Sequence, residues 1–168
     1  VIILEVVIGI PLGMIAAVYR NKWQDHLCMF IAILGVSVPA FWLGIELMIV
    51  FSLNLKWLPT YGVETWKGWI LPIVCGSVNG IARMARQARS SVLEAIRSDY
   101  VTTGRAKGVS ESSLLFRYIL PNALIPLIQT LGNSFGTSIG GTVIIENLFS
   151  LPGVGKYMVE AITLRDYP

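Results

Sequence analysis

Charge is scarce in this chain. Of its 168 residues only 14% are Asp, Glu, Lys or Arg, where ordinary soluble domains carry about a quarter. Histidine occurs once, at His26, and cysteine twice, at Cys28 and Cys75, far apart and both in apolar surroundings. That excludes a disulfide framework and leaves the cysteines as packing residues. His26 lies two residues before Cys28, but one His and one Cys do not make a metal centre. A lone histidine also leaves Ser-His-Asp or Cys-His catalysis without its parts, which speaks against a membrane-embedded enzyme. A nucleotide site is lacking too. Gly153-Val154-Gly155-Lys156 looks like a phosphate loop, yet Ser150 stands where its first glycine is required and Tyr157 where Ser or Thr is required. That stretch is read instead as an extracellular turn. Repeats, low-complexity stretches and a second soluble domain are likewise absent.

What the chain has is apolar length. It is 54% hydrophobic with a mean hydropathy of +0.67, and its uncharged runs are longer than a core helix needs, so the expected class is an all-α, polytopic membrane protein. Four spans are expected, near 1–19, 28–53, 69–90 and 119–145. The first is broken only by Glu5 and Pro11, and it lacks the small-residue site of a secretory signal. The second has Glu46 as its only charge, and the fourth has none. Both are long enough to cross a hydrocarbon core of about 30 Å at about 1.5 Å per residue. The third is apolar from Trp69 to Ala82 and then continues as a basic helix, whose first arginines would snorkel to the headgroups. Pro39 is expected to bend the second span, and Pro121 and Pro126 the fourth.

Lys and Arg set the orientation. Segment Arg83–Arg117 holds seven and loop Arg20–Leu27 two, and these share one side if the spans alternate; loop Asn54–Gly68 on the other side holds two. The richer side is cytoplasmic. Trp57, Tyr61, Trp66 and Trp69 then form an outer aromatic belt.

The cytoplasmic segment 91–118 is patterned for structure. Asp99 is a plausible N-cap for a helix Tyr100–Lys107, Gly108 sits where a helix ends at positive φ, and Ser110 with Glu111 opens a second helix, Glu111–Arg117, before Pro121. Helix, glycine turn, helix, span makes a compact lever; the alternative is a generic cytoplasmic connector, but one of this length is expected to be disordered or functional rather than idle. Arg83, Arg86 and Arg97 share one helical face with Arg89 nearby; they read first as anchors to anionic lipid, with docking as the other reading.

Within the spans, polar side chains mark candidates for a path: Glu46, Asn79, Gln129, Asn133 and Thr137, with Thr130 beside them. Glu46 is equally suited to a structural partner or to snorkelling, and the depth of Glu5 is open. Gly132, Gly136 and Gly140 recur every four residues, either for tight packing within the subunit or as a moving seam with a second one.

The stretch Asp99–Pro121, DYVTTGRAKGVSESSLLFRYILP, resembles the signature loop of the membrane subunits of binding-protein-dependent ABC importers. That loop reads Glu-Ala-Ala, three residues, Gly, nine residues, Ile-x-Leu-Pro. Gly108, Leu120 and Pro121 are in register, while Thr102-Thr103-Gly104 replaces Glu-Ala-Ala and Tyr118 the Ile. The Thr-rich lead into Arg105-Ala106-Lys107-Gly108 resembles the peptide and nickel branch, as do Ile33–Trp42 and the blocks Ile-Ile-Glu-Asn, Pro-Gly-Val-Gly and Arg-Asp-Tyr-Pro after Gly140. The resemblance implies a type I ABC importer transmembrane domain of six spans, four of them within this fragment. It implies that Tyr100–Gly108 is a coupling helix seated on an ATPase subunit, with Leu120-Pro121 setting its angle to the fourth span. It further implies a second permease subunit, giving a heterodimer, and two ATP-binding subunits that carry the ATP and Mg. An extracytoplasmic solute-binding protein, a bacterial or archaeal cell membrane and no nucleic acid complete the picture. The solute would be a dipeptide, oligopeptide, glutathione or nickel chelate. A passive channel or a membrane enzyme is the rival reading.

Overall fold

The computed structural model describes residues 1–139 and 143–165, with the side chains of Thr137 and Ile139 set aside. Among these residues the chain is helix, turn and loop without a strand, in line with the all-α expectation. Helix α1 spans Ile2–Val18, α2 Trp23–Ser37 and α3 Ala40–Asn54. After a loop and a short 3-10 turn at Trp66–Trp69 comes α4, Ile70–Ile96. Helix α5 is Asp99–Ala106, α6 runs from Glu111 to Ile139, α7 is Val143–Leu148 and α8 is Val154–Leu164.

Helix α4 is the axis on which the others pack. Its buried residues are small: Cys75, Gly80, Ala82, Ala85, Ala88, Ser91 and Ala95, with Met84 and Val92 filling between them. Small residues let neighbouring backbones come close, which is how helices associate where lipid removes the hydrophobic drive. Helix α1 answers with Gly9, Gly13, Ala16 and Ala17. A methyl group added at Gly13 would run into the Ala85 carbonyl and the Ala88 methyl, so the crossing has no room for a side chain. Ala32 of α2 meets Ala82 and Ala85, Leu127 of α6 meets Met84 and Ala88, and α3 and α7 gather around Leu71 and Cys75.

Two expectations change. The second apolar run, 28–53, is not one helix: α2 and α3 meet at 96° at Val38-Pro39, the bend expected at Pro39 but grown into an elbow. Pro39 has no N–H to continue the ladder, and Val38 before it is extended at ψ 122. Conversely, the fourth run does not break at Pro121 or Pro126. Glu111–Gly136 is one 26-residue helix, apolar and long enough to cross a membrane. A wide π turn at Leu115–Ile119, in which the Leu120 amide bonds back to the Leu115 carbonyl, precedes the ring of Pro121. The same arrangement precedes Pro11, after the π turn Glu5–Gly9. The predicted helix Glu111–Arg117 is thus the first part of the span itself.

Candidate functional site

The lever begins where α4 ends. Ser98, not Asp99, holds the N-cap position of α5, with extended backbone at ψ 151; its hydroxyl donates to the Glu94 carbonyl and not to the new helix. Asp99 is instead the first residue of the helix, where its charge still complements the N-terminal dipole. At the other end the Gly108 amide donates to the Arg105 carbonyl and the Val109 amide to the Gly104 carbonyl. With Gly108 at φ +77 this is a Schellman cap, the positive-φ glycine stop expected there.

Two fully buried side chains hold α5 and α6 against α4: Val101 and Leu114 pack with Val92, Ala95 and Ile119. Gly104 turns inward, and its missing side chain leaves space for Leu114. Tyr100, Thr102, Thr103, Arg105, Ala106, Lys107 and Gly108 are exposed, forming one outward surface. Leu120 is half-buried and Pro121 exposed, one turn or more along the span. Across the glycine turn the Arg105 guanidinium donates to both oxygens of Glu111, at 2.7 and 3.0 Å. These hydrogen bonds hold the Arg105 guanidinium above its usual range. Both groups are solvated, so the pair orders the turn more than it stabilises the fold.

Sequence reasoning missed the residue that ties this region to the rest. Asp25, 2% exposed, accepts two hydrogen bonds from Arg89 and one from the Asn21 amide. The Arg89 bonds are the largest cause of its lowered pKa, burial opposes them, and the Asn21 amide adds to the lowering. Arg89, read as one of four lipid anchors, is therefore a structural cation that fastens the α1–α2 turn to α4. Glu5, whose depth the sequence left open, is 3% exposed, lies against Gly80 and leaves Oε2 without a hydrogen-bond partner among the described residues. No periodicity in the sequence pointed to either.

The polar residues proposed for a path divide. Asn79 is half-buried on α4 and accepts from Arg83 Nη1 at 3.0 Å. Gln129 and Asn133 are exposed on α6, and Glu46 is half-buried on α3. The side chain of Thr137 lies outside the described residues, as does Gly140. At Gly132 and Gly136 an added methyl would meet nothing within 4 Å, so this glycine stripe is open in the subunit. Beyond α6, the stretch expected to be a turn is the start of α8: Gly153 is its N-cap, Val154-Gly155-Lys156 its first residues, and the Glu146 carboxylate accepts from the Lys156 amide. The cradle that looked like a phosphate loop is filled by the chain's own carboxylate.

Residues 9–168 match the family described as "Binding-protein-dependent transport system inner membrane component". The chain is 44% identical over 163 residues to the glutathione transport system permease protein GsiC of Escherichia coli strain K12 and to that of Shigella flexneri serotype 5b, and 43% identical to that of Salmonella paratyphi A. Each comparison covers 97% of this chain and 53% of the relative, so the chain spans about half the length of the curated relatives it matches. The chain belongs to this family, the inner-membrane permeases of ABC importers.

Proposed function

We propose that the chain is part of a permease subunit that moves a peptide-type solute by alternating access, driven by a separate ATPase. An extracytoplasmic binding protein delivers the solute, two ATP-binding subunits close on ATP, and α5 with the Gly108 turn carries that closure to the spans. A second permease subunit completes the path, seated along the open Gly132–Gly136 stripe of α6. The observation that carries this reading is the construction of the lever. An exposed polar surface, Tyr100 to Gly108, is fixed from beneath by Val101 and Leu114, and its second arm is continuous with a membrane-length helix. A push on α5 therefore reaches α6 and α4 without a flexible joint.

Among solutes of the branch, glutathione or a short peptide is favoured over a nickel chelate, because the relatives named above carry glutathione in their names. The test is reconstitution of the full-length permease with its genomic neighbours in vesicles, with ATP-dependent uptake of glutathione, dipeptides and nickel chelates measured side by side. Uptake without ATP, or in the absence of any ATPase subunit, would return the passive channel.

A further inference from the structure

A cavity of about 390 Å³ lies where the end of α1, the end of α4 and the lever meet. Three stretches of chain line it with the same gradient. The α1 side presents Val18 and then Arg20, and the α4 side Leu93 and Ile96 and then Arg97. On α6, which starts at this end, the order is reversed: Glu111 comes first, beside Arg105 of α5, and Leu115 and Ile119 follow within the span. One end of the cavity is therefore apolar and lies toward the spans. The other is charged and lies on the side that Lys and Arg mark as cytoplasmic. Three arginines border the cavity with one carboxylate, and that carboxylate is taken by Arg105. Arg20 and Arg97 are exposed and form no ion pair among the described residues.

Arginines that merely end a span meet passing headgroups on an open surface. These border a hollow built from four elements, and its far end is apolar. A free anion such as inorganic phosphate would use the arginines and leave Leu93, Ile96, Leu115 and Ile119 in water. An anionic phospholipid meets both ends at once. Its phosphate accepts from the guanidinium forks, and the upper part of an acyl chain covers the apolar wall. Basic pockets between helices at the cytoplasmic face suit such headgroups. We propose that this cavity binds one anionic phospholipid of the cytoplasmic leaflet, with Arg20 and Arg97 at its phosphate. Such a site needs only that this face lie at the inner leaflet, whatever drives transport. Because Arg105 and Glu111 border the same cavity, the bound lipid touches the lever together with α1 and α4.

The test uses the full-length permease in its assembled complex, in phosphatidylcholine vesicles. Traces of photoactivatable phosphatidylglycerol or phosphatidylcholine, each with a diazirine in the acyl chain, are crosslinked and the labelled peptides mapped. The anionic probe is expected to label 93–96 and 115–119 about tenfold more than the choline probe, the size that one or two cations near an anionic headgroup supply. Arg20→Gln with Arg97→Gln should bring the two probes to parity there, and Arg20→Lys with Arg97→Lys should keep most of the preference. Arg83→Gln with Arg86→Gln, at exposed arginines outside the cavity, should leave it unchanged. Excess unlabelled phosphatidylglycerol should compete, and inorganic phosphate should not. Equal labelling by both probes in the parent would overturn the proposal. So would an equal loss on neutralising Arg83 and Arg86, which would mean diffuse attraction to the surface. Competition by inorganic phosphate would overturn it in favour of a free-anion site, and no labelling by either probe in favour of a cavity filled by protein. Labelling as expected in a complex without ATP-linked uptake would uphold the lipid site and refute the importer reading.

Discussion

Arg89 closes on Asp25 with two hydrogen bonds, Nε to Oδ1 at 2.6 Å and Nη2 to Oδ2 at 2.8 Å, across 64 positions of sequence. The pair joins the turn between the first two helices to the central helix about two turns before the lever begins. Its carboxylate is buried and its guanidinium 28% exposed. Removing one partner of a fully buried pair costs about 3–5 kcal/mol, and the partial exposure of Arg89 brings the expected loss for Asp25→Ala to about 2–3 kcal/mol. A melting temperature of the purified permease complex unchanged by this substitution would contradict the role.

The same pair makes an acid-sensitive contribution. A carboxyl whose pKa is lower in the folded state stabilises fully above its unfolded value, about 3.9 for Asp, and loses that stabilisation as pH falls through the depressed folded value. Stability should therefore drop below about pH 4 in the parent. Asp25→Asn should remove that part of the drop while lowering stability at pH 7. Thermal melts of both proteins between pH 7 and pH 3 measure it.

Docking of the lever separates into surface and support. Lys107 is exposed and makes no ion pair among the described residues, so Lys107→Glu tests ATPase contact directly. Arg105→Glu is a mixed probe, because it places two carboxylates together at the turn. Leu114→Ala leaves a cavity under α5 worth about 2–5 kcal/mol. It should loosen coupling, so that ATP hydrolysis continues while uptake falls. Gly108→Val strains a left-handed turn by about 1–2 kcal/mol and should weaken ATPase recovery in a pull-down, with Gly108→Asn milder. Full recovery with Lys107→Glu and Gly108→Val together would exclude α5 as the contact.

Glycine pairs four apart on α1 and on α6 should behave in opposite ways. Gly13→Leu meets the backbone of Ala85 and Arg89, which cannot step aside, so the permease should fail to fold. At Gly136 an added Cβ meets no atom of the described residues within 4 Å, so with Gly136→Leu the protein should insert and keep its fold while pairing with the second permease or transport is lost. Protease resistance of each variant, followed by co-purification of the partner, distinguishes the two. Transport at the parent rate by Gly136→Leu would leave that stripe without a role.

Cysteines at Tyr61 and Ser112, both exposed, should react with an impermeant reagent from opposite sides of the membrane. Labelling of both from outside intact cells would reverse the orientation drawn from Lys and Arg.

Much of this was legible in the sequence because local chemistry decides it. Gly108 ends a helix wherever it is placed, and the uncharged run before Ile145 has few options besides a long helix. Long-range pairing was not legible. Nothing in a single sequence says that Asp25 and Arg89 meet, so Arg89 was grouped with the other basic residues on its helix. The Gly-x-x-x-Gly spacing shows the same limit. It occurs on α1, where it is a closed crossing, and on α6, where it is open, and only the packing distinguishes them. Capping too was displaced by one residue, because Ser98 and Asp99 are both good cap residues in adjacent positions.

The elbow at Pro39 has an electrical consequence. Where α2 stops, the carbonyls of its last turn lose their helical partners, and where α3 starts its first amides do the same. Two partial charges of opposite sign, a helix C-terminus and a helix N-terminus, are thereby brought within a few residues of each other at a right angle. Hydrocarbon cannot solvate such groups, so non-helical backbone at membrane depth is confined to protein-covered or wet surfaces. The Cys75 thiol already donates to the Ala40 carbonyl from within, and Ser37 bonds back to Ile33. The outward side carries exposed Phe41 and Trp42. Placed in a bilayer, a chain so built would carry a fixed dipolar corner, and hydrocarbon would be the one surface that corner could not face.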